Sequence, residues 1–247
     1  MRAFDKEVKT CSKRNYTKTT MIYPMGKERP IPAKACARSD IPSGHNAGLC
    51  ALNVKIPSIP RHLVKDATLE GGTRMAAMYR HVSKGGRYVE IGTLDGDLAA
   101  SMLRNLQPAL LVIIDLDPRA IATCKKRHAK WVASGTVQCI LQPSGAALRA
   151  LDDESFDMIY IDGNHGYSTV CDDLEAAKSK LKPGGLMVMN DYYLFETLFL
   201  ATNRLAGRWM VYGVMHATNE FVIRYGWKVV YMTLHPRQEP DLALRKP

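Results

Sequence analysis

Five short apolar runs, separated by stretches with helical spacing, constrain the fold of this chain more than any other feature. The runs are residues 87–91, 110–115, 136–141, 156–162 and 185–191, and the helical stretches between them lie near 96–105, 118–132, 144–150 and 168–181. Apolar strands that alternate with helices are typical of a parallel sheet covered by helices on both faces. The sequence therefore predicts a doubly wound α/β fold.

The C-terminal part has a different pattern. Residues 226–234 and 241–246 form two further apolar runs, and the short proline-containing link between them has no room for a helix. Strands joined so closely pair antiparallel. We therefore predict a seven-stranded, mostly parallel sheet with an antiparallel C-terminal hairpin strand. Upstream, residues 66–82 have the apolar spacing of a helix, although Gly71 and Gly72 weaken its first turn.

The first 60 residues are rich in proline and poor in periodicity, so residues 1–60 are predicted to be an extended lead-in and 61–247 the folded domain. Residues 1–40 carry ten basic against four acidic side chains, within a formal net charge of +10. Such an arm can bind nucleic acid or an acidic surface, and it can equally be a solvated tail. No RNA-binding aromatic motif accompanies it.

The six cysteines include no CxxC pair, which favours reduced thiols in a cytosol-like compartment over a disulfide framework or a zinc site. No apolar run approaches the roughly 20 residues that a membrane helix needs. The N-terminus lacks the apolar core of a signal peptide. We expect a cytoplasmic protein that does not enter a membrane.

The loop after the first strand, E-I-G-T-L-D-G-D, is a candidate ligand site because ligands of open α/β sheets bind at the carboxyl ends of strands. Gly92 and Gly96 let the backbone pass close to a ligand. The loop lacks the GxGxxG spacing of a dinucleotide site, and Glu90, Asp95 and Asp97 would repel a diphosphate. These acids suit a ligand with a sulfonium and an ammonium group, which indicates S-adenosylmethionine.

The end of the second apolar run adds an independent indication. Asp115 follows Glu90 by 25 residues, where its carboxylate can accept hydrogen bonds from both hydroxyls of a ribose. Asp117 and Pro118 then begin the next helix, with proline at a favoured early position. Asp115 has the alternative role of a cap close to that helix. Its spacing from Glu90 favours ribose binding.

Four segments together resemble the class I S-adenosylmethionine-dependent methyltransferases. They are EIGTLDG (90–96), IIDLDP (113–118), FDMIYIDGNHGY (156–167) and LKPGGLMVMNDY (181–192). Within that family the chain is most similar to the small-molecule O-methyltransferase branch, which includes catechol-type, caffeoyl-type and antibiotic-sugar enzymes. The resemblance spans roughly residues 66–246. It implies a Rossmann-like methyltransferase fold and an enzyme that uses S-adenosylmethionine.

The resemblance also implies which residues line the cofactor site. Glu90, Gly92 and Gly96 would contact the methionine end, Asp115 the ribose, and Ser144 the adenine. The complete implied set is Glu70, Gly71, Glu90, Gly92, Gly96, Asp115, Ser144 and Asp162. Glu70 and Gly71 are placed in the helix before the first strand. Two residues depart from the pattern of relatives, since Leu98 replaces a serine that binds the cofactor carboxylate and Pro143 replaces an acidic residue.

Many relatives hold a divalent cation with polar residues that correspond here to Asp162, Asn190 and Asp191. Hard oxygen ligands at adjacent strand ends suit Mg²⁺. The cation would bind an acceptor hydroxyl and lower its pKa. Because Asn190 replaces one acid, a metal-independent enzyme is the alternative.

His165 and Asp162 are the candidate catalytic residues. An imidazole with an ordinary pKa near ~6.5 can take the proton of a hydroxyl, and the alternative is a turn histidine bonded to the backbone or to a nearby acid. A carboxylate at the end of a buried strand needs a partner, which favours a functional role for Asp162. The aromatic residues at 192, 193 and 195 are interpreted mainly as packing residues, and His216 as structural.

The sequence therefore predicts an O-methyltransferase for a hydroxyl of a small molecule or sugar. One alternative is an RNA or protein methyltransferase that docks through the basic arm, although the chain lacks the (N/D)PP(Y/F) motif that many nucleic-acid N-methyltransferases carry after the fourth strand. Another is a non-catalytic relative that binds the cofactor or nucleic acid. The expected partner is a hydroxylated small molecule, and self-association is left open.

Overall fold

The predicted alternation of strands and helices is present in the computed structural model, which describes residues 57–192, 213–235 and 239–247. Its strands are β1 (Thr68–Gly71), β2 (Arg87–Ile91), β3 (Leu110–Asp115), β4 (Val137–Leu141), β5 (Phe156–Ile161), β6 (Leu181–Met189), β7 (Lys228–Leu234) and β8 (Leu242–Arg245). Its helices are α1 (Arg61–Val64), α2 (Arg74–His81), α3 (Asp97–Asn105), α4 (Pro118–Arg127), α5 (Ala129–Ala133), α6 (Ser144–Ala150), α7 (Tyr167–Lys180) and α8 (Val214–Tyr225).

The strands form one sheet in the order β1-β7-β8-β6-β5-β2-β3-β4. β8 is antiparallel to both of its neighbours, β6 and β7, and the other neighbouring strands pair in parallel. The doubly wound, mostly parallel sheet with an antiparallel C-terminal strand is therefore confirmed. In the described ranges the sheet has eight strands rather than the predicted seven, and the additional one is β1.

β1 corrects the prediction of a single helix over residues 66–82. Residues 68–71 pair in parallel with β7, with Leu69 opposite Met232. Gly72 follows at a φ of +96°, and the Thr73 hydroxyl then accepts the N–H of Ala76 to cap α2. The first residues of this segment therefore form an edge strand. The two glycines and the capping threonine prevent the helix from beginning before residue 74.

The core consists of two apolar clusters that belong to the two faces of the sheet. Adjacent residues of β2 contribute to different clusters, Val89 to one and Tyr88 to the other, and all but the first residue of β2 are buried. Burial on both faces explains why the central strands read as continuous apolar runs. Ile59 is buried in the first cluster, and the carbonyl of Pro57 accepts a hydrogen bond from the side chain of Asn219.

Several other sequence predictions can be placed on this fold. Tyr192 is buried and donates its hydroxyl to Asn219 at 2.6 Å, in agreement with a packing role. His216 is buried on α8, with its Nε2 3.3 Å from the Glu220 carboxylate. Tyr193, Phe195 and the basic arm lie outside the described residues, as does most of the predicted lead-in. Among the described helices, none combines the length and the apolar character that spanning a membrane requires.

Candidate active site

A cavity of about 860 Å³ opens at the carboxyl ends of β2, β3 and β5. From β2 the chain continues to β3 and β4 on one side, and it then returns to β5 on the other side of β2. Ligands of open α/β sheets bind where the strand order changes direction in this way. The volume is in the range of small-molecule and cofactor sites. The predicted cofactor-binding residues that line this cavity are Glu90, Gly92, Asp115, Ser144 and Asp162.

Gly92 is the point at which the loop after β2 meets the loop after β5. Its φ is +80°, and a Cβ added there would lie 2.0 Å from the carbonyl oxygen of Asp162. The two loops are also joined by a hydrogen bond from the Asp162 N–H to the Ile91 carbonyl. Only glycine combines this backbone conformation with so close an approach. The first glycine of the loop is therefore required by the fold.

Glu90 is a buried carboxyl at the edge of the cavity. It is 1% exposed, and its Oε2 makes no hydrogen bond within the described residues. Burial raises its pKa well above the usual range, and the neighbouring Cys124, Asp162 and Asp115 raise it further, while the Thr93 side chain acts in the opposite direction. A buried polar atom that lacks a protein partner and borders a cavity is a candidate ligand contact.

Asp115 ends β3 with its carboxylate held by two backbone amides. Oδ2 accepts the N–H of Thr93 at 2.9 Å, and Oδ1 accepts the N–H of Asp117 at 2.8 Å. A carboxylate has about four acceptor positions, so two remain for hydroxyl donors. The cap of α4 is Asp117, whose carboxylate accepts the N–H of Arg119. The geometry therefore leaves Asp115 available to a ligand.

Gly96 and Ser144 occupy the starts of two helices beside the cavity. Gly96 precedes α3 with a φ of +79°, and a Cβ there would lie 3.0 Å from Nε2 of His128. Ser144 is the first residue of α6. Leu98 and Pro143, the two residues that depart from the pattern of relatives, also line the cavity.

Glu70 and Gly71 lie in β1 and are not among the residues that line the cavity. The Glu70 carboxylate instead accepts two hydrogen bonds from Arg80, at 2.6 and 3.0 Å. The prediction that Glu70 and Gly71 lie in a helix is therefore wrong, because the helix begins only at Arg74. Arg74, which the sequence analysis did not single out, lines the cavity from this side.

His165 lies between two carboxylates. Its Nε2 is 3.6 Å from Oδ1 of Asp162 and 3.7 Å from Oδ2 of Asp191. Asp191 reaches this position with a φ of +52°, a left-handed conformation that aspartate adopts more readily than most residues. Burial lowers the pKa of the imidazole, but Asp162, Asp191 and Asn190 together raise it above its usual value. The structure thus brings three of the predicted residues into one group.

A buried network that the sequence analysis missed supports this group. The Asp241 carboxylate accepts the hydroxyl of Tyr160 at 2.9 Å and the Nδ2 of Asn190 at 3.1 Å. Burial raises the pKa of Asp241 to about 7, and Arg74 acts against this rise. Asp241 immediately precedes β8, far along the chain from the other members, and no local motif marks it. The C-terminal strand therefore contributes to the site.

The arrangement does not fit the predicted magnesium site. The His165 Nε2 lies 3.6 Å from Oδ1 of Asp162 and 3.7 Å from Oδ2 of Asp191, so the imidazole stands where a cation would have to contact both carboxylates. In the part of the chain that the structure describes, no group of three or more His, Cys, Asp or Glu side chains is placed to hold a metal ion. We therefore derive no step through a cation at Asp162, Asn190 and Asp191.

Asp173 on α7 is another buried carboxyl, and it lies near the cavity-lining Ser144. Neither of its oxygens makes a hydrogen bond within the described residues. Burial raises its pKa to about 6, an effect that the nearby Ser144 side chain partly opposes. The pKa of an unfolded aspartate is lower, near ~3.9. The native state therefore holds this proton more tightly, and its stability falls as the pH rises through 6.

We expect Asp173→Asn to remove this pH-dependent penalty. The difference in unfolding free energy between variant and native chain should grow in the variant's favour by about 1–2 kcal/mol from pH 5 to pH 8, as measured by urea denaturation. The Asp66→Asn change is the matched control, because it makes the same substitution on an exposed side chain. A difference that stays constant over this range would contradict the prediction.

Residues 89–192 match a family model described as a methyltransferase domain. The matched segment contains β2 to β6 almost entirely, and with them most of the residues that line the cavity. In sequence, this part of the chain is therefore similar to a methyltransferase domain.

Among curated proteins, the uncharacterized protein R132 of Acanthamoeba polyphaga mimivirus is 33% identical over 114 residues, which are 42% of this chain. The match covers 51% of that protein, so the chain spans about half the length of the curated relative that it matches.

Solved structures share the fold at low sequence identity. A protein from Staphylococcus aureus, provisionally assigned as a caffeoyl-CoA O-methyltransferase, is 16% identical with a TM-score of 0.56, over 74% of this chain and 87% of that one. A provisionally assigned rRNA methylase from Clostridium thermocellum is also 16% identical, with a TM-score of 0.51 over 70% and 95%. A provisionally assigned methyltransferase from Streptococcus mutans, in complex with S-adenosylhomocysteine, is 12% identical with a TM-score of 0.50 over 70% and 95%.

Proposed function

We propose that the chain transfers the methyl group of S-adenosylmethionine to a hydroxyl of a small molecule or sugar. The observation that carries this proposal is the position of His165 between Asp162 and Asp191, beside the cavity that Asp162 lines. A hydroxyl acceptor must lose its proton as the oxygen attacks the methyl carbon, and an imidazole near the reacting oxygen can take it.

In this proposal the cofactor supplies a methyl group already activated by its sulfonium. Asp115 holds the ribose hydroxyls, and Glu90 and the backbone at Gly92 border the methionine end. Orientation of the two reactants then contributes most of the rate, and well-positioned reactants can lower a barrier by roughly 7–11 kcal/mol. Removal of the hydroxyl proton is the one chemical step that falls to the protein.

Asp162 and Asp191 act on that step through His165. Both carboxylates favour the protonated imidazole, as the raised pKa of His165 indicates. They therefore stabilise the imidazolium that forms when His165 accepts the proton. The backbone contact between Asp162 and Gly92 keeps this group in register with the cofactor loop.

RNA methylation is the second candidate, supported by the basic residues at 1–40 and by the similarity in fold to a provisionally assigned rRNA methylase. The two candidates differ in salt dependence. RNA binding through phosphate contacts weakens steeply with added salt, whereas methylation of an uncharged small acceptor does not.

Calorimetric titration with S-adenosylhomocysteine tests the cofactor, and a radioactive methyl-transfer screen of phenols, sugars and RNA then tests the acceptor. Micromolar binding and transfer to a hydroxylated small molecule would support the proposal. No binding by the folded chain would reject it. Transfer to RNA alone would replace it by the second candidate.

We expect methyl transfer to be independent of divalent cations. Turnover after treatment with EDTA should stay within about twofold of the untreated rate, because His165 occupies the place between Asp162 and Asp191. The control is an added excess of Mg²⁺, which should also leave the rate within this range. Loss of activity in EDTA that Mg²⁺ restores would show that His165 moves aside for a cation.

A further inference from the structure

Arg74, the first residue of α2, is the one basic side chain among the cavity-lining residues that the structure describes. The same lining contains six acidic residues: Glu90, Asp95, Asp97, Asp115, Asp117 and Asp162. The proposed mechanism assigns no role to Arg74. A lone guanidinium in an acidic cavity is a candidate for binding the single anionic group of a ligand.

The Tyr160 hydroxyl and the Asp241 and Asp191 carboxylates lie near the guanidinium of Arg74, and these contacts leave part of it available. Its Nε is buried and makes no hydrogen bond within the described residues. The distance between its Nη2 and Oδ1 of Asp191 is 4.0 Å, which is longer than a hydrogen bond. The side chain is 22% exposed, so it is reached from the cavity but shielded from most of the solvent.

The charges of the proposed cofactor match this distribution. S-adenosylmethionine carries a positive sulfonium and ammonium, which suit the acidic lining, and one carboxylate, which the lining would repel. Leu98, in the first turn of α3, lines the cavity, but its side chain offers no hydrogen-bond donor. The carboxylate therefore needs a cation. Arg127 is already paired with Asp97 and does not line the cavity, which leaves Arg74 among the described residues.

We propose that Arg74 binds the α-carboxylate of the cofactor's methionine end; this inference rests on the proposed function. A guanidinium can donate two parallel hydrogen bonds to a carboxylate, which fixes its orientation as well as its position. Arg74 then orients the sulfonium methyl toward the group formed by Asp162, His165 and Asp191. Arg74 thus makes the site prefer a ligand that carries a carboxylate.

The test is a two-by-two calorimetric comparison. The native chain and Arg74→Met are each titrated with S-adenosylhomocysteine and with the analogue that lacks the carboxylate. We expect the native chain to bind the analogue at least tenfold more weakly. Arg74→Met should bind the two ligands within about twofold of each other, because the group that distinguishes them is absent.

Two further variants make the comparison specific. Arg74→Lys should keep part of the preference for the carboxylate, since it keeps the charge but not the paired donors. Arg104→Met, on the exposed side of α3, removes a charge outside the cavity and should leave the native preference intact.

The outcomes separate this inference from the proposed function. Equal binding of both ligands by the native chain, or an equal loss of affinity for both in Arg74→Met, would overturn the role of Arg74 alone. If Arg74→Met does not fold, the comparison of the two ligands on the native chain and on Arg74→Lys still tests the role of Arg74. No binding of either ligand to the folded native chain would overturn the proposed function, and this inference with it.

Discussion

Asp115→Ala should weaken the binding of S-adenosylhomocysteine by about a hundredfold or more. The carboxylate would accept two hydroxyls of the ribose while it holds the N–H groups of Thr93 and Asp117. Hydrogen bonds to a charged group contribute about 1.5–3 kcal/mol each, and 1.4 kcal/mol corresponds to a tenfold change in affinity. Loss of both bonds therefore predicts at least this effect in a calorimetric titration.

The exposed Asp152→Ala change is the matched control and should leave the affinity unchanged. Asp115→Asn should fall between native and Asp115→Ala, because the amide keeps one acceptor oxygen. An Asp115→Ala chain that is folded and binds with native affinity would contradict the assignment of Asp115 to the ribose.

Asp162→Ala should lower turnover about a thousandfold while it changes the affinity for S-adenosylhomocysteine far less. The change removes one of the two carboxylates that hold His165, and loss of a general base costs roughly 10²–10⁴ in rate. The measurement compares the maximal rate of methyl transfer with the calorimetric affinity of the same variant.

A double variant makes this prediction more specific. If Asp162 and His165 act as one unit, Asp162→Ala combined with His165→Ala should lose little more rate than either single change. Multiplied losses would instead indicate two independent roles. A fully active Asp162→Ala chain would reject the assignment of this residue.

The parts of the fold that depend on short segments of sequence were predictable. Parallel strands buried on both faces must be apolar throughout, and the short link before residue 241 leaves only a hairpin. β1 was missed because an edge strand of four residues carries few apolar positions, and its spacing coincides with that of the helix that follows. Pairing with β7 is what makes these four residues a strand and not the start of the helix.

The candidate site also contains residues that the sequence indicated and residues that it did not. Gly92 and Asp115 were recognisable because each belongs to a loop whose own sequence carries the signal. Arg74 and Asp241 were not, because they reach the cavity and its supporting network only through the order of strands in the sheet. The direction of the Asn190 amide depends on Asp241 in turn, and the segment around Asn190 alone does not show this contact.

The position of β8 between β6 and β7 has a consequence for synthesis on the ribosome. A nascent chain that ends before residue 242 leaves these two strands without the partner that joins them, and each then presents an open hydrogen-bonding edge. Open edges of incomplete sheets are the surfaces on which chains aggregate. Any folding intermediate that lacks β8 therefore exposes two such edges at once.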